Sequence, residues 1–249
     1  AEALRLNVGG TRNSAVGRNA LEANTSGGDN TGMGTNALLL NTTGSDNTAF
    51  GADSLDSNTS ADGNTAIGSS SLPANTTGAS NTAVGKESLL ANTTANDNTA
   101  LGFRSMCKTT TGCQNTTVGT NTMRQNTTGD QNIAIGYRAL DANTTADSNV
   151  AVGADALCAN TTGGDNTAVG ANALDANTTA NANTAIGKFA LSATTTSGFN
   201  VAVGASSLKT NITGIYNTAV GTSSLLVNTT GECNVAMGLN SLDANTTGN

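Results

Sequence analysis

One unit of 17 residues repeats along the chain without an insertion or a deletion. Its most regular marker is a glycine, which recurs every 17 residues from Gly17 to Gly238. When this glycine is numbered position 0, every unit has an asparagine at −4, from Asn13 to Asn234. A large apolar residue stands at −1, and Leu or Met stands at +4. A repeat of this kind predicts a solenoid, because stacked units can bury a core that one unit cannot.

The idealised unit, N-T-A-V-G-x-x-A-L-x-A-N-T-T-G-x-D, favours strands over helices. Thr and Val fit a pleated surface, whereas Gly, Asn and Thr are poor helix formers. Two strong apolar residues in 17 are also too few for an amphipathic helix. We therefore predict an all-β fold, a parallel β-solenoid or β-roll with two short strands in each coil. One strand would contain Thr-Ala-Val and the other the Ala-Leu pair. The predicted domain is a single uncapped array, residues 1–249, of about fourteen and a half repeats.

The residues at −1 and +4 are the predicted core. Alternation along a strand places −3 and −1 on the same face, and Val or Ile replaces Thr at −3 in several units. We therefore predict that this face is apolar and points inward, opposite the Leu column. Representatives of the predicted core are Val16, Leu21, Ile67, Leu72, Val169 and Leu174.

Asparagines at −4 and +7 are predicted to form ladders, in which each amide bonds to the equivalent residue one coil away. The glycine at 0 is predicted to form a corner, because glycine tolerates positive φ and close backbone approach. The +7 asparagines also begin N-T-S/T sequons, so glycan attachment is the functional alternative. The predicted structural residues are Asn13, Asn30, Asn47, Asn64, Asn24, Asn41, Asn58, Gly17, Gly34 and Gly51.

Cys107 and Cys113 lie in one coil, which lacks the usual +7 asparagine and has Thr109 there. We hypothesise a disulfide between them that clamps this turn, as an extracellular location would permit. Cys158 and Cys233 lie four repeats apart. Since coils are spaced by about 4.8 Å, those two cysteines are too distant to pair within one rod.

The composition excludes several functions. The chain has no His, which removes the usual catalytic triads. Its net charge is −7 and its ten basic residues are scattered, so no nucleic-acid footprint is present. No apolar run approaches the length of a membrane span. Acidic residues cluster at +5, +11 and +12, and we interpret them as a solvated edge, with bridging by Ca²⁺ as the alternative. We predict no enzyme activity, no cofactor and no metal site.

The unit, as it stands in Asn166–Leu174 and Asn183–Leu191, resembles the head repeats of YadA-like trimeric autotransporter adhesins. It is also similar to arrays in phage tail-fibre-type proteins. The resemblance implies a left-handed parallel β-roll, assembly into trimers, and binding to host matrix or another surface.

We expect an extracellular or cell-surface protein, either a filament subunit or an adhesin shaft. Its expected partners are other copies of itself, stacked head to tail through open solenoid ends or packed laterally, and a cell-surface or matrix ligand. The alternatives are a phage or virus tail-fibre segment that binds a cell surface, and an ice- or carbohydrate-binding solenoid. Ile212, Ile215, Tyr216 and Phe199 interrupt the polar pattern and are expected to contact another chain.

Overall fold

The computed structural model describes residues 2–249 and shows an all-β chain folded as a parallel β-solenoid with 17-residue coils. Each strand has three residues and pairs in parallel with the strand one repeat away, so that Thr167 lies opposite Thr184. This confirms the fold class predicted from the repeat. Within residues 2–249, no helix has the length and apolarity needed to cross a membrane.

The coils form two compact units, one ending at Thr128 and the other comprising Gly129–Asn249. Each unit contains seven strands in sequence order. The strands of the first unit are β1 (Ser14–Val16), β2 (Thr31–Met33), β3 (Thr48–Phe50), β4 (Thr65–Ile67), β5 (Thr82–Val84), β6 (Thr99–Leu101) and β7 (Thr116–Val118). Those of the second are β8 (Ile133–Ile135), β9 (Val150–Val152), β10 (Thr167–Val169), β11 (Thr184–Ile186), β12 (Val201–Val203), β13 (Thr218–Val220) and β14 (Val235–Met237).

Each coil has one strand, so the predicted second strand around the Ala-Leu pair is wrong. The backbone there is left-handed at +2 and +4, as shown by φ of 56° at Asn172 and 51° at Leu174. Left-handed residues interrupt an extended strand, yet the segment still bonds to the next coil, through Leu174 N to Ala190 O at 3.0 Å. The side chains at +3 and +4, such as Ala173 and Leu174, are both completely buried.

The predicted core is right at +4 and wrong at −1. Side chains at +4 from Leu21 to Leu225 have no exposed surface, and only Leu242 in the last coil is exposed, whereas those at −1 point away from the core. The strand residue that faces inward is the alanine at −2, which is fully buried in most coils. The buried representatives are Leu21, Leu72 and Leu174, and the outward ones are Val16 at 61% exposure, Ile67 at 39% and the half-buried Val169.

The narrow interior explains this orientation. At Gly32, a Cβ added at the inward position would lie only 3.3 Å from Leu21 Cγ. With one Leu already filling each coil, an inward Val would overpack the interior. Thr117 is the only inward strand residue larger than Ala. Its hydroxyl lies 2.6 Å from that of Ser105 and donates to the Thr99 carbonyl at 3.3 Å. The large strand residues therefore face outward.

Two buried asparagine ladders run beside this apolar layer. In the −4 column, Asn13 Oδ1 accepts the Asn30 amide N–H at 2.9 Å, and Asn47 Oδ1 accepts that of Asn64 at 2.9 Å. In the +7 column, Asn41 Nδ2 donates to Asn24 Oδ1 at 2.9 Å, and Asn58 Nδ2 donates to Asn41 Oδ1 at 2.8 Å. Hydrogen bonding of this kind compensates for burying the amides.

Both ladders meet at the backbone carbonyl of +10. Gly44 O accepts one hydrogen bond from Asn30 Nδ2 at 2.8 Å and another from Asn41 Nδ2 at 2.9 Å. The sequon asparagines Asn24, Asn41 and Asn75 have no exposed surface. A glycan on any of them would require this buried network to open, which argues against the glycosylation alternative.

The glycine at position 0 makes the closest approach between coils. Gly17, Gly34 and Gly51 have φ between 133° and 143°, a region that favours glycine. A Cβ at Gly51 would lie 2.5 Å from the carbonyl oxygen of Gly68 in the next coil. Coils can therefore stack at this corner only if the residue has no side chain.

Substitution of Asn58 tests the ladder. Asn58→Asp removes the N–H donors to Asn41 and Ala61 and buries a charge, which we expect to destabilise the fold by about 3–5 kcal/mol. Asn58→Thr should destabilise less, by about 1–3 kcal/mol, because Thr194 in the same column donates to Asn211 O at 3.0 Å, although Asn177 Oδ1 one coil away is left without a partner. Thermal unfolding followed by circular dichroism measures both. Equal losses of Tm in the two variants would contradict this role.

Candidate functional site

The outward strand face of each unit consists of the −3 and −1 side chains of its seven strands. In the first unit these residues are Ser14, Val16, Thr31, Met33, Thr48, Phe50, Thr65, Ile67, Thr82, Val84, Thr99, Leu101, Thr116 and Val118. In the second they are Ile133, Ile135, Val150, Val152, Thr167, Val169, Thr184, Ile186, Val201, Val203, Thr218, Val220, Val235 and Met237. Parallel, in-register pairing aligns them in two continuous columns within each unit.

The outward strand face carries no charge, and its −1 column is wholly apolar, whereas its −3 column is mostly Thr. The chain has seventeen acidic and ten basic residues, and none lies in these columns. Several large side chains here are well exposed, including Phe50 at 54%, Val235 at 70% and Met237 at 75%. A contiguous exposed apolar surface of this kind is typical of an interaction site. This surface was not predicted from the sequence, because the −3 and −1 residues were expected in the core.

The carboxylates lie away from this face, and one of them is poorly solvated. Burial raises the pKa of Asp175, and the nearby Asp155 carboxylate raises it further, although a hydrogen bond from Asn172 opposes both effects. The Oδ1 atom of Asp175 is buried without a hydrogen-bond partner. Within residues 2–249, no three His, Cys, Asp or Glu residues are grouped so that they could hold a metal ion.

Asp175→Asn should raise Tm at pH 7, because it removes a charge that burial disfavours. The pKa of Asp175 is higher in the folded chain than in the unfolded chain. The native state therefore loses stability as pH rises from the unfolded pKa to the folded pKa. The gain should therefore vanish below about pH 3.9, where the unfolded carboxyl is also protonated. Asp243→Asn is the control, since Asp243 lies in the same column but is exposed. An equal gain in Tm at pH 3 and pH 7 would refute the desolvation account.

The predicted Cys107–Cys113 disulfide is not formed in the structure. Cys107 Sγ donates to the Arg124 carbonyl of the next coil at 3.6 Å, and Cys113 Sγ donates to Thr111 O at 3.3 Å. The two side chains thus bond to different backbone groups. Burial raises the pKa of Cys107, which keeps it a neutral thiol and a weak nucleophile at pH 7. The thiol borders a pocket of about 240 Å³ lined also by Glu87, Leu90, Arg104, Lys108 and Arg124.

Searches of protein-family models, curated proteins and solved structures found no match to this chain. The function proposed below therefore rests on the geometry of the chain itself.

Two neighbouring substitutions in β10 test which face points outward. Ala168→Val adds methyl groups to the filled interior and should destabilise by about 1–3 kcal/mol. Val169→Thr changes an outward residue to the type found at −3 and should change stability by less than about 0.5 kcal/mol. Urea and thermal unfolding compare the two variants with the unmodified chain. The opposite order of stability would show that Val169, and not Ala168, faces the core.

Proposed function

We propose that this chain is the repetitive shaft of an extracellular structural or adhesive fibre, in which copies associate laterally through the outward strand face. The observation that carries the proposal is the absence of charge from a sheet surface on which a continuous apolar column is exposed. Soluble proteins rarely leave such a surface uncovered.

A second copy of the chain is the occupant that suits this surface best. In each unit the face repeats with every coil, in strict register. On an identical face, equivalent residues of successive coils have the same spacing. A contact that is favourable in one coil therefore recurs in every coil of the two faces that meet. Self-complementary patches of this kind generate symmetric homo-oligomers. Lateral association would bury the −1 column, and Thr at −3 would contribute methyl groups while its hydroxyl found partners at the rim.

The irregular shape of the same face disfavours the ice-binding alternative. Phe50, Met33 and Leu101 stand in one column with Val and Ile, so the surface varies in height from coil to coil. A flat hydroxyl array would need Thr at both outward positions, whereas −1 is apolar in every strand. Side chains of varied size interdigitate well in a protein–protein contact, where complementary shape is what stabilises.

A structural role also suits the regularity of the chain. A catalytic site needs a local constellation of nucleophile, base and orienting group, and the repeat supplies the same few residues in coil after coil. The buried asparagine network and the one-strand coil are features that allow one coil to stack on the next. We accordingly propose a shaft outside the cell or on its surface, and no enzyme activity.

Charge placed on the outward strand face tests the proposal. Ile67→Lys with Val84→Lys should convert an oligomer into a monomer, because association would bury two unpaired ammonium groups. The control is Thr77→Lys with Thr94→Lys, which adds the same charge at exposed positions off the face. Sedimentation equilibrium measures the mass, and circular dichroism checks folding. A monomeric unmodified chain, or equal dissociation in the control, would contradict lateral association through this face.

A further inference from the structure

The second unit has a groove on a surface other than the outward strand face. Some of the residues that line it depart from the repeat pattern. The groove has a volume of about 600 Å³ and follows the +9 to +12 positions of successive coils. Its lining includes two carboxylates, one amide, two small residues and one aromatic ring. These residues are Asp147, Asp165, Asn181, Gly164, Ala182 and Phe199.

The aromatic residue at this groove stands where the backbone disfavours it. Position +12 is left-handed in successive coils, with φ of 58° at Asp97 and 59° at Asp165. Such φ values suit Asp, Asn and Gly and are unfavourable for bulky side chains. Phe199 and Tyr216 nevertheless occupy this position, with φ of 61° and 58°. Leu at +4 occupies the same backbone region along the chain, where its burial stabilises it, so a bulky residue in this region without burial points to a function.

Packing does not explain the two rings, because neither is buried. Phe199 is 56% exposed and Tyr216 is 55% exposed. The rings stack on each other with centroids 5.4 Å apart and planes inclined by 27°. Tyr216 therefore supports one side of the Phe199 ring. On the other side the preceding coil has only Ala182 at the equivalent position, so the ring there borders the groove.

Polar groups along the groove are held in position, and some of their hydrogen-bonding capacity is unused. Asn181 Oδ1 accepts the Gly164 amide at 2.7 Å, and Asp147 Oδ1 accepts the Asp130 amide at 2.8 Å. The Nδ2 group of Asn181 and the carboxylate of Asp165 form no hydrogen bond with the other residues that the structure describes. The groove thus offers a flat apolar surface together with hydrogen-bond donors and acceptors at its edge.

We propose that this groove binds one or two sugar units of a neutral saccharide. A pyranose ring has an apolar face of C–H groups, which fits the Phe199 ring, and equatorial hydroxyls, which fit Asn181 in the adjacent coil. A second sugar unit would reach Asp165 and Asp147, which lie two and three coils from Phe199. Convergent polar groups around an apolar surface are the usual composition of a small-ligand site. The carboxylates disfavour acidic sugars by charge repulsion. The groove is separate from the outward strand face, so saccharide binding does not depend on lateral association.

Saturation-transfer NMR on the full chain tests the proposal with three probes: cellobiose, N,N′-diacetylchitobiose and methyl α-mannoside. Transfer to the ring C–H protons of at least one probe is expected, with a dissociation constant of about 1 mM, as suits one shallow contact. Glucuronate should bind more weakly than the best neutral probe. Absence of transfer to all three neutral probes, or preference for glucuronate, would overturn the proposal.

Phe199→Asp separates a role in binding from a role in folding. It restores the residue type of Asp97 and Asp165 at +12, so Tm should not fall. Binding should weaken about tenfold through loss of the aromatic contact. Phe103→Ala, an exposed Phe of the first unit, is the control and should leave binding unchanged. Asn181→Ala is a second test and should also weaken binding. Unchanged affinity in both groove variants would show that the sugar binds elsewhere.

Discussion

The interior of each coil has room for one large side chain, and the rest of the architecture depends on this limit. Leu or Met at +4 fills that space, with Ala at −2 and Ala, Ser or Thr at +3 packed around it. The strand must therefore direct its larger residues outward, where they form an exposed apolar surface. Two features of the sequence, a nearly invariant Ala column and a varied apolar column, are thus opposite faces of one three-residue strand.

So thin a core buries little apolar surface, and buried polar groups complete it. The asparagine ladders place amides where a larger protein would place hydrocarbon, and their hydrogen bonds run both along the stack and to the +10 carbonyl. A satisfied buried amide is tolerated, whereas an unsatisfied one is strongly destabilising. Each coil therefore relies on its neighbours for both packing and hydrogen bonding, which explains why the period of 17 residues never varies.

The fold class followed from the period of the repeat, and the positions of the Leu, Asn and Gly columns followed from their regularity. Which face of the strand is buried did not follow from the sequence, because alternation shows which residues share a face but not whether that face points inward. The relevant signal was the difference in variability between the columns. Position −2 is Ala in twelve units, whereas −1 ranges from Val16 to Phe50 and Met237. The left-handed backbone at +2 and +4 could not be predicted either, since Leu is unusual in that backbone region. The groove beside Phe199 depends on which columns adjoin across coils, and only the structure shows this.

Thiol accessibility tests the central claim most directly, namely that Ala points inward and the varied apolar column outward to meet another copy. Ala83→Cys and Val84→Cys would each be introduced into a chain whose native cysteines are replaced by Ser, and maleimide labelling would be followed over a range of protein concentrations. We predict that the thiol at 83 stays unreactive until the chain unfolds. The thiol at 84 should react in dilute solution and become protected as concentration rises. Rapid labelling at 83 with protection at 84 at every dilution would contradict the account.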